Sequence, residues 1–127
     1  MPSISTVIED DQFLFDLYGG LPSFEKINLH QVLLNWDGPS ANLIFDLDCF
    51  PPNPPKKWNK FNVAQIELSL FPLLKVNLKS FSSGNICSLL IEKRDGIIII
   101  NIKGGSHADF VASSIRVVGV SAYLNLP

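Results

Sequence analysis

The sequence predicts a mainly β domain of the α+β kind. One N-terminal helix precedes about seven or eight antiparallel strands in a strongly curved sheet or small sandwich. Three observations lead there. Apolar residues recur with a period of two through most of the chain from Lys26 to Tyr123, the spacing that turns one face of a strand toward a core. Turn-forming clusters punctuate these stretches at short intervals: Asp37-Gly38-Pro39-Ser40, Ser82-Ser83-Gly84-Asn85, Asp95-Gly96 and Gly104-Gly105-Ser106. No helical stretch separates the strands, so hairpins rather than βαβ crossovers should connect them.

The helix is expected over about 7–18. Thr6-Val7-Ile8-Glu9 has capping-box spacing, and Phe13, Leu14, Leu17 and Tyr18 form one apolar stripe. Gly19-Gly20 supplies a left-handed C-terminus, and Pro22 prevents the helix from resuming. The β-rich part spans 26–123. From Lys26 to Trp36 the alternation slips, with Ile27 and Leu29 in one phase and Val32, Leu34 and Trp36 in the other. A β-bulge near His30 and Gln31 reconciles the two phases, and Trp36 then belongs to the core. From Asn42 to Phe50 the alternation is clean, with Leu43, Phe45, Leu47 and Cys49 inward and Ile44, Asp46 and Asp48 outward.

Residues 51–58, Pro51-Pro52-Asn53-Pro54-Pro55-Lys56-Lys57-Trp58, lack the donors a central strand needs and read as a stiff extended loop. Strands resume at Phe61–Phe71, at Leu74-Lys75-Val76-Asn77-Leu78 and at Ile86–Lys93. Asp95-Gly96 is a two-residue hairpin signal. Its partner strand, Ile97 to Ile102, is apolar on both sides, so it should lie centrally with both faces covered. Asp109–Ala112 and Ile115–Tyr123 complete the set. With 127 residues, no internal repeat and no compositional break, residues 1–127 are expected to form a single domain.

Composition excludes some functions. Hydrophobic residues make up 46% and charged residues 17% of the chain, too apolar a balance for intrinsic disorder. A net charge of -2 and a pI near 5.5 argue against a general nucleic-acid binder, whose affinity comes largely from neutralising phosphates. No apolar run approaches the roughly 20 residues of a membrane-spanning helix, and the N-terminus lacks the pattern of a secretory signal. A soluble cytoplasmic protein is the expectation, with Cys49 and Cys87 as free, buried thiols.

Catalytic chemistry finds little support. Neither phosphate-loop spacing nor paired CxxC spacing occurs, so no catalytic residue, metal or cofactor is expected. His30 reads as a half-buried strand histidine, and His107 as a turn residue. Asp46 and Asp48 share one strand face, either as a solvated surface or as an acidic patch that meets a basic partner. Lys56, Lys57 and Trp58 follow the stiffened prolines. A pre-ordered loop loses little entropy on binding, and tryptophan is a frequent binding hot spot; the alternative is that Trp58 folds back onto the core.

The segment Leu17-Tyr18-Gly19-Gly20-Leu21-Pro22-Ser23-Phe24 resembles the N-terminal signature of the immunity protein 50 family, found beside bacterial polymorphic toxins. Three further features appear in the family's order: Trp58 after a proline-and-lysine run, Asp95-Gly96 before an apolar strand, and Gly105-Ser106-His107 opening the final hairpin. The likeness runs from about Asp16 to about Val120. It departs after Phe24, where Glu25-Lys26 stand in place of a histidine and an acidic residue often found there. No role of such a histidine transfers.

The resemblance implies a cytoplasmic, non-enzymatic inhibitor that binds a cognate toxin protein. It also implies that the motif residues Tyr18, Gly19, Gly20, Pro22, Ser23, Phe24, Gly105, Ser106 and His107 serve the scaffold. Recognition is expected at Asp46, Asp48, Lys56, Lys57 and Trp58. Two other readings compete: a small β domain binding a small molecule or sugar through Trp58, Phe50 and Phe61, and a structural or regulatory interaction module.

Overall fold

The computed structural model describes residues 7–80, 82 and 86–126. The strands are β1 (Ile8–Glu9), β2 (Ile27–Asn35), β3 (Ser40–Asp46), β4 (Val63–Leu70), β5 (Leu73–Ser80), β6 (Ile86–Arg94), β7 (Ile97–Gly104), β8 (His107–Ala112) and β9 (Ile115–Tyr123). Among the described residues, one helix, α1 (Gln12–Tyr18), lies between β1 and β2, and a 3-10 turn (Lys56–Trp58) lies between β3 and β4. The strands form one sheet in the order β1-β9-β4-β3-β2-β6-β7-β8-β5. Every pairing is antiparallel except β1 beside β9, which is parallel. The sheet is therefore mixed, with nine strands among the described residues rather than seven or eight antiparallel ones.

Two junctions fold this sheet over one core. At the first, β2 meets β6 through two residue pairs, Ile27 with Cys87 and Asn28 with Ile86. Beyond them β2 continues beside β3, and β6 beside β7. At the second, β4 runs into β5 through Phe71-Pro72, and β8 runs into β9 through Ser113-Ser114. Hydrogen bonds lace these two bends together: Phe71 N–H donates to the Ser114 carbonyl at 3.1 Å, and Ser113 N–H to the Pro72 carbonyl at 3.0 Å. The inward side chains of both halves belong to one hydrophobic cluster, in which Leu43, Phe45, Ile66 and Leu68 from one half join Ile98, Ile100, Ile102 and Phe110 from the other. The sheet does not close. Among the described residues, the outer edges of β1 and β5 and the parts of β2 and β6 beyond their junction remain its open margins.

Local chemistry accounts for most of the elements. In β3 and β4 the inward residues Leu43, Phe45, Ile66 and Leu68 are fully buried, while the outward Asn42, Ile44, Gln65 and Glu67 are half-exposed. The β2–β3 register shifts between Leu29 and Gln31, which is the bulge the slipped alternation requires. Asp95 and Gly96 both hold positive φ, 52° and 81°, as a tight β6–β7 hairpin turn needs.

Four expectations are corrected. The helix begins at Gln12, not near residue 7, because Ile8 joins an edge strand beside Ile115 and is 2% exposed. Burying one isoleucine contributes roughly 1.5–3 kcal/mol, more than the ~1 kcal/mol of a capping side chain. The acceptor of the expected capping box, Thr6, lies outside the described residues, as do Ser83, Gly84 and Asn85 of the expected turn. Ile98, Ile100 and Ile102 are buried, but Ile97 and Ile99 are only half-buried; β7 is central in its pairing and covered fully on one face. Trp36 lies beyond the end of β2 and is 94% exposed. Cys49 is exposed because β3 ends at Asp46 and its alternation stops there, whereas Cys87 is buried; both thiols are free.

Candidate functional site

The period of β3 turns Asp46 away from the core, as expected. It is not solvated, however; it is 6% exposed, and that correction redraws the site. Three strands deliver partners to its carboxylate. His30, at the β2 bulge, places Nε2 2.7 Å from Oδ2. Gln65 on β4 donates from Nε2 to Oδ1 at 3.1 Å. Tyr123, at the end of β9, donates its hydroxyl to Oδ2. Along the same outer face Asn42 donates to Glu67 at 2.6 Å. The bulge matters, because the extra residue re-aims the His30 side chain toward the acid.

These contacts determine how the phenol titrates. Tyr123 is pushed up to about 12 by partial burial first, then by its hydrogen bond to Asp46 and by the charge of that carboxylate. Tyr18 is raised too, by burial and then by Cys49. The fold thus favours both protonated phenols. This contribution to stability is whole below the ordinary value of 10.0 and is lost as pH rises through the folded value. A tyrosinate absorbance titration of the native protein should show little ionisation at pH 10. Asp46→Asn should move Tyr123 back toward 10 while leaving Tyr18 raised. An unchanged curve in that variant would show that the carboxylate does not hold the phenol.

The remaining candidate residues fall into three places. Asp48, Lys56 and Lys57 are exposed. Trp58, expected as an exposed anchor or a core residue, takes the second course: it is 4% exposed, with Phe13 edge-on at 6.0 Å and Phe50 tilted at 6.2 Å. It anchors the 3-10 turn on which Lys56 and Lys57 sit, and the Trp58 N–H donates to the Pro55 carbonyl.

The N-terminal motif packs against the segment that follows β3. Gly19 takes a left-handed φ of 68° at the end of α1. The Tyr18 hydroxyl donates to the Cys49 carbonyl at 2.6 Å, and the Ser23 hydroxyl accepts from Glu25 N–H at 3.2 Å. Phe24 is buried edge-on against Phe45. Tyr18, Pro22, Ser23, Glu25, Lys26 and Asp48 border a cleft of about 280 Å³.

In the later motif, Gly105 N–H donates to the Ile86 carbonyl at 3.0 Å. Ser106 is buried, and its hydroxyl accepts from Ser82 N–H at 3.3 Å. His107 is exposed at the start of β8.

The candidate residues therefore do not converge on one pocket. Asp46 is gathered with His30, Gln65 and Tyr123, which sequence reading missed as a group. Asp48 lies by the motif cleft, and Lys56 and Lys57 by the buried tryptophan. Among the described residues no group of three or more His, Cys, Asp or Glu side chains is placed to hold a metal ion. No helix there is long and apolar enough to cross a membrane.

A mainly β chain with one mixed, unclosed sheet and a polar outer face in one half is the class that these features define. Within that class, the chain belongs to the immunity protein 50 family, whose model matches residues 10–123. No curated protein and no solved structure matches it.

Proposed function

We propose that this protein binds a cognate bacterial toxin in the cytoplasm and neutralises it without catalysis. Family membership across residues 10–123 carries the reading. The arrangement of polar groups supports it. Asp46, the most buried acid, is engaged by three side chains within the fold, a structural use rather than that of a free general base. Exposed Asp48, Lys56 and Lys57 are the residues we propose to touch the toxin, with Trp58 and Asp46 holding their surroundings. The motif residues Tyr18 to Phe24 and Gly105 to His107 act in the scaffold on this reading. A sugar platform built on Trp58 and Phe50 is less favoured, because those two rings pack together.

A growth assay tests the proposal. The gene product encoded directly upstream is expressed in a naive bacterial host, alone and with this protein. Killing by the neighbour alone, relieved by co-expression, is the expected result. A neighbour that is expressed yet harmless, or that kills regardless, would overturn the pairing.

A further inference from the structure

We infer that the free edge of β5 is a second contact surface for the partner, in addition to Asp48, Lys56 and Lys57, and that the partner contributes there an extended segment with acidic and apolar side chains alternating. This rests on the toxin-binding reading and adds to it a surface and its chemistry.

β5 pairs with β8 along one edge, while its other edge carries no strand among the described residues. Its two faces differ in character. Val76 and Leu78 lie opposite the buried Phe110 and Ala108, yet remain 36% and 40% exposed. The missing neighbour is the reason: on their open side the sheet fails to close. Leu73, Leu74 and Val76 face Leu34 and Trp36 of the β2–β3 hairpin across a mostly apolar groove of about 230 Å³, which the Lys75 side chain also borders. On the other face Lys75 and Asn77 lie opposite Val111 and Asp109, and Lys79 bonds Asp109 at 2.8 Å. The Leu73 N–H already donates to the Pro39 carbonyl at 2.7 Å; beyond it an added strand would find backbone groups with no strand partner, a groove for alternate apolar side chains, and lysines on the opposite face. That combination is what strand addition uses for affinity and specificity.

Charge selects the occupant. A second copy pairing antiparallel through β5, centred on Asn77, would set Lys75 opposite Lys79 at both ends. Like charges directly across a strand pair are destabilising. A segment with carboxylates at alternate positions converts the same lysines into cross-strand ion pairs. One acid, Asp109, is already shared with Lys79, so Lys75 is the cation with the greater unmet capacity.

The test uses the intact protein and the protein encoded directly upstream. Affinity is measured for the native pair, for Lys75→Glu/Lys79→Glu, and for the milder Lys75→Gln/Lys79→Gln, which adds no repulsion at Asp109. A control, Lys93→Glu/Arg94→Glu, carries the same charge change on exposed positions at the β6–β7 hairpin. We expect the glutamate pair to weaken binding at least tenfold and the glutamine pair several-fold. The control should bind as the native protein does, with melting temperatures of all four close together. Hydrogen exchange in the complex should show new protection along Leu73–Ser80. Tight binding by both β5 variants, an equal loss in the control, or protection confined to other strands would overturn strand addition and leave the immunity reading intact. A native dimer with β5 protected before any partner is added would overturn it in favour of a second copy. Failure of the native protein to bind its neighbour would remove the immunity reading, and this inference with it.

Discussion

Phe45→Ala lowers the stability of the fold by about 3–5 kcal/mol, the range for deleting a fully buried aromatic ring. The ring lies on β3 between Leu29 of β2 and Ile66 of β4, its register partners. It meets Phe24 edge-on, centroids 5.6 Å apart. Both neighbours are held in place by strand pairing, so the site cannot collapse around the missing ring, and the cavity cost adds to the lost transfer energy. Small domains are stable by only about 5–15 kcal/mol, so this single change removes a large fraction of the total. Urea unfolding measures it, as a lower midpoint with an unchanged slope. Trp36→Ala, at a position 94% exposed, should stay within about 0.5 kcal/mol of the native protein. A loss below about 1 kcal/mol for Phe45→Ala would mean that the core repacks around the gap. The same contact ties the N-terminal motif to the sheet, since Phe24 is its last residue.

Local patterns made much of this fold legible. The inward set of Leu43 and Phe45, the bulge beside His30, the Asp95-Gly96 hairpin and the left-handed Gly19 each follow from residues a few positions apart. What escaped depends on partners far along the chain. β1 is two residues long and pairs with β9 more than 100 positions away, so no periodicity marks it. The outward phase of Asp46 was readable, but its burial was not. The residues that cover it lie 16, 19 and 77 positions distant, and a period of two says which face a side chain takes, not what stands across from it. Trp36 went the other way. Its apolar character and phase suggested the core, but the sheet stays open where the β2–β3 hairpin meets β5. The candidate site was legible as residue types on loops and strand faces, and less so as contacts. Trp58 could have been an anchor or a core residue by its sequence, and only its packing with Phe13 and Phe50 decides between them.

Gly104→Ala costs about 2–4 kcal/mol, combining a strained backbone with a steric clash. Gly104 holds φ at 148°, a conformation that residues with a Cβ rarely adopt. An added methyl would sit 2.4 Å from the Ile86 carbonyl oxygen and 2.7 Å from the Cys87 Cα. Both are backbone atoms, so no flexible side chain can move aside. The location raises the consequence. Ile86 and Cys87 are the two β6 residues that pair with β2, and that pairing is one of the two junctions between the halves of the sheet. Pushing β6 away from β7 at Gly104 therefore strains the join between β2 and β6 as well. Hydrogen exchange should accelerate first at Ile27, Asn28 and Cys87, ahead of the laced bends at Phe71 and Ser113. Gly20→Ala is the contrast. No atom lies within 4 Å of its added Cβ, and its φ is not in the left-handed region, so the change should be neutral or stabilise by up to about 1 kcal/mol through the unfolded chain. Similar losses in the two variants would show that the cost reflects glycine chemistry in general. A loss confined to Gly104 places it in the close approach of β7 to β6, and thereby explains why the chain carries a glycine at 104, where β7 ends.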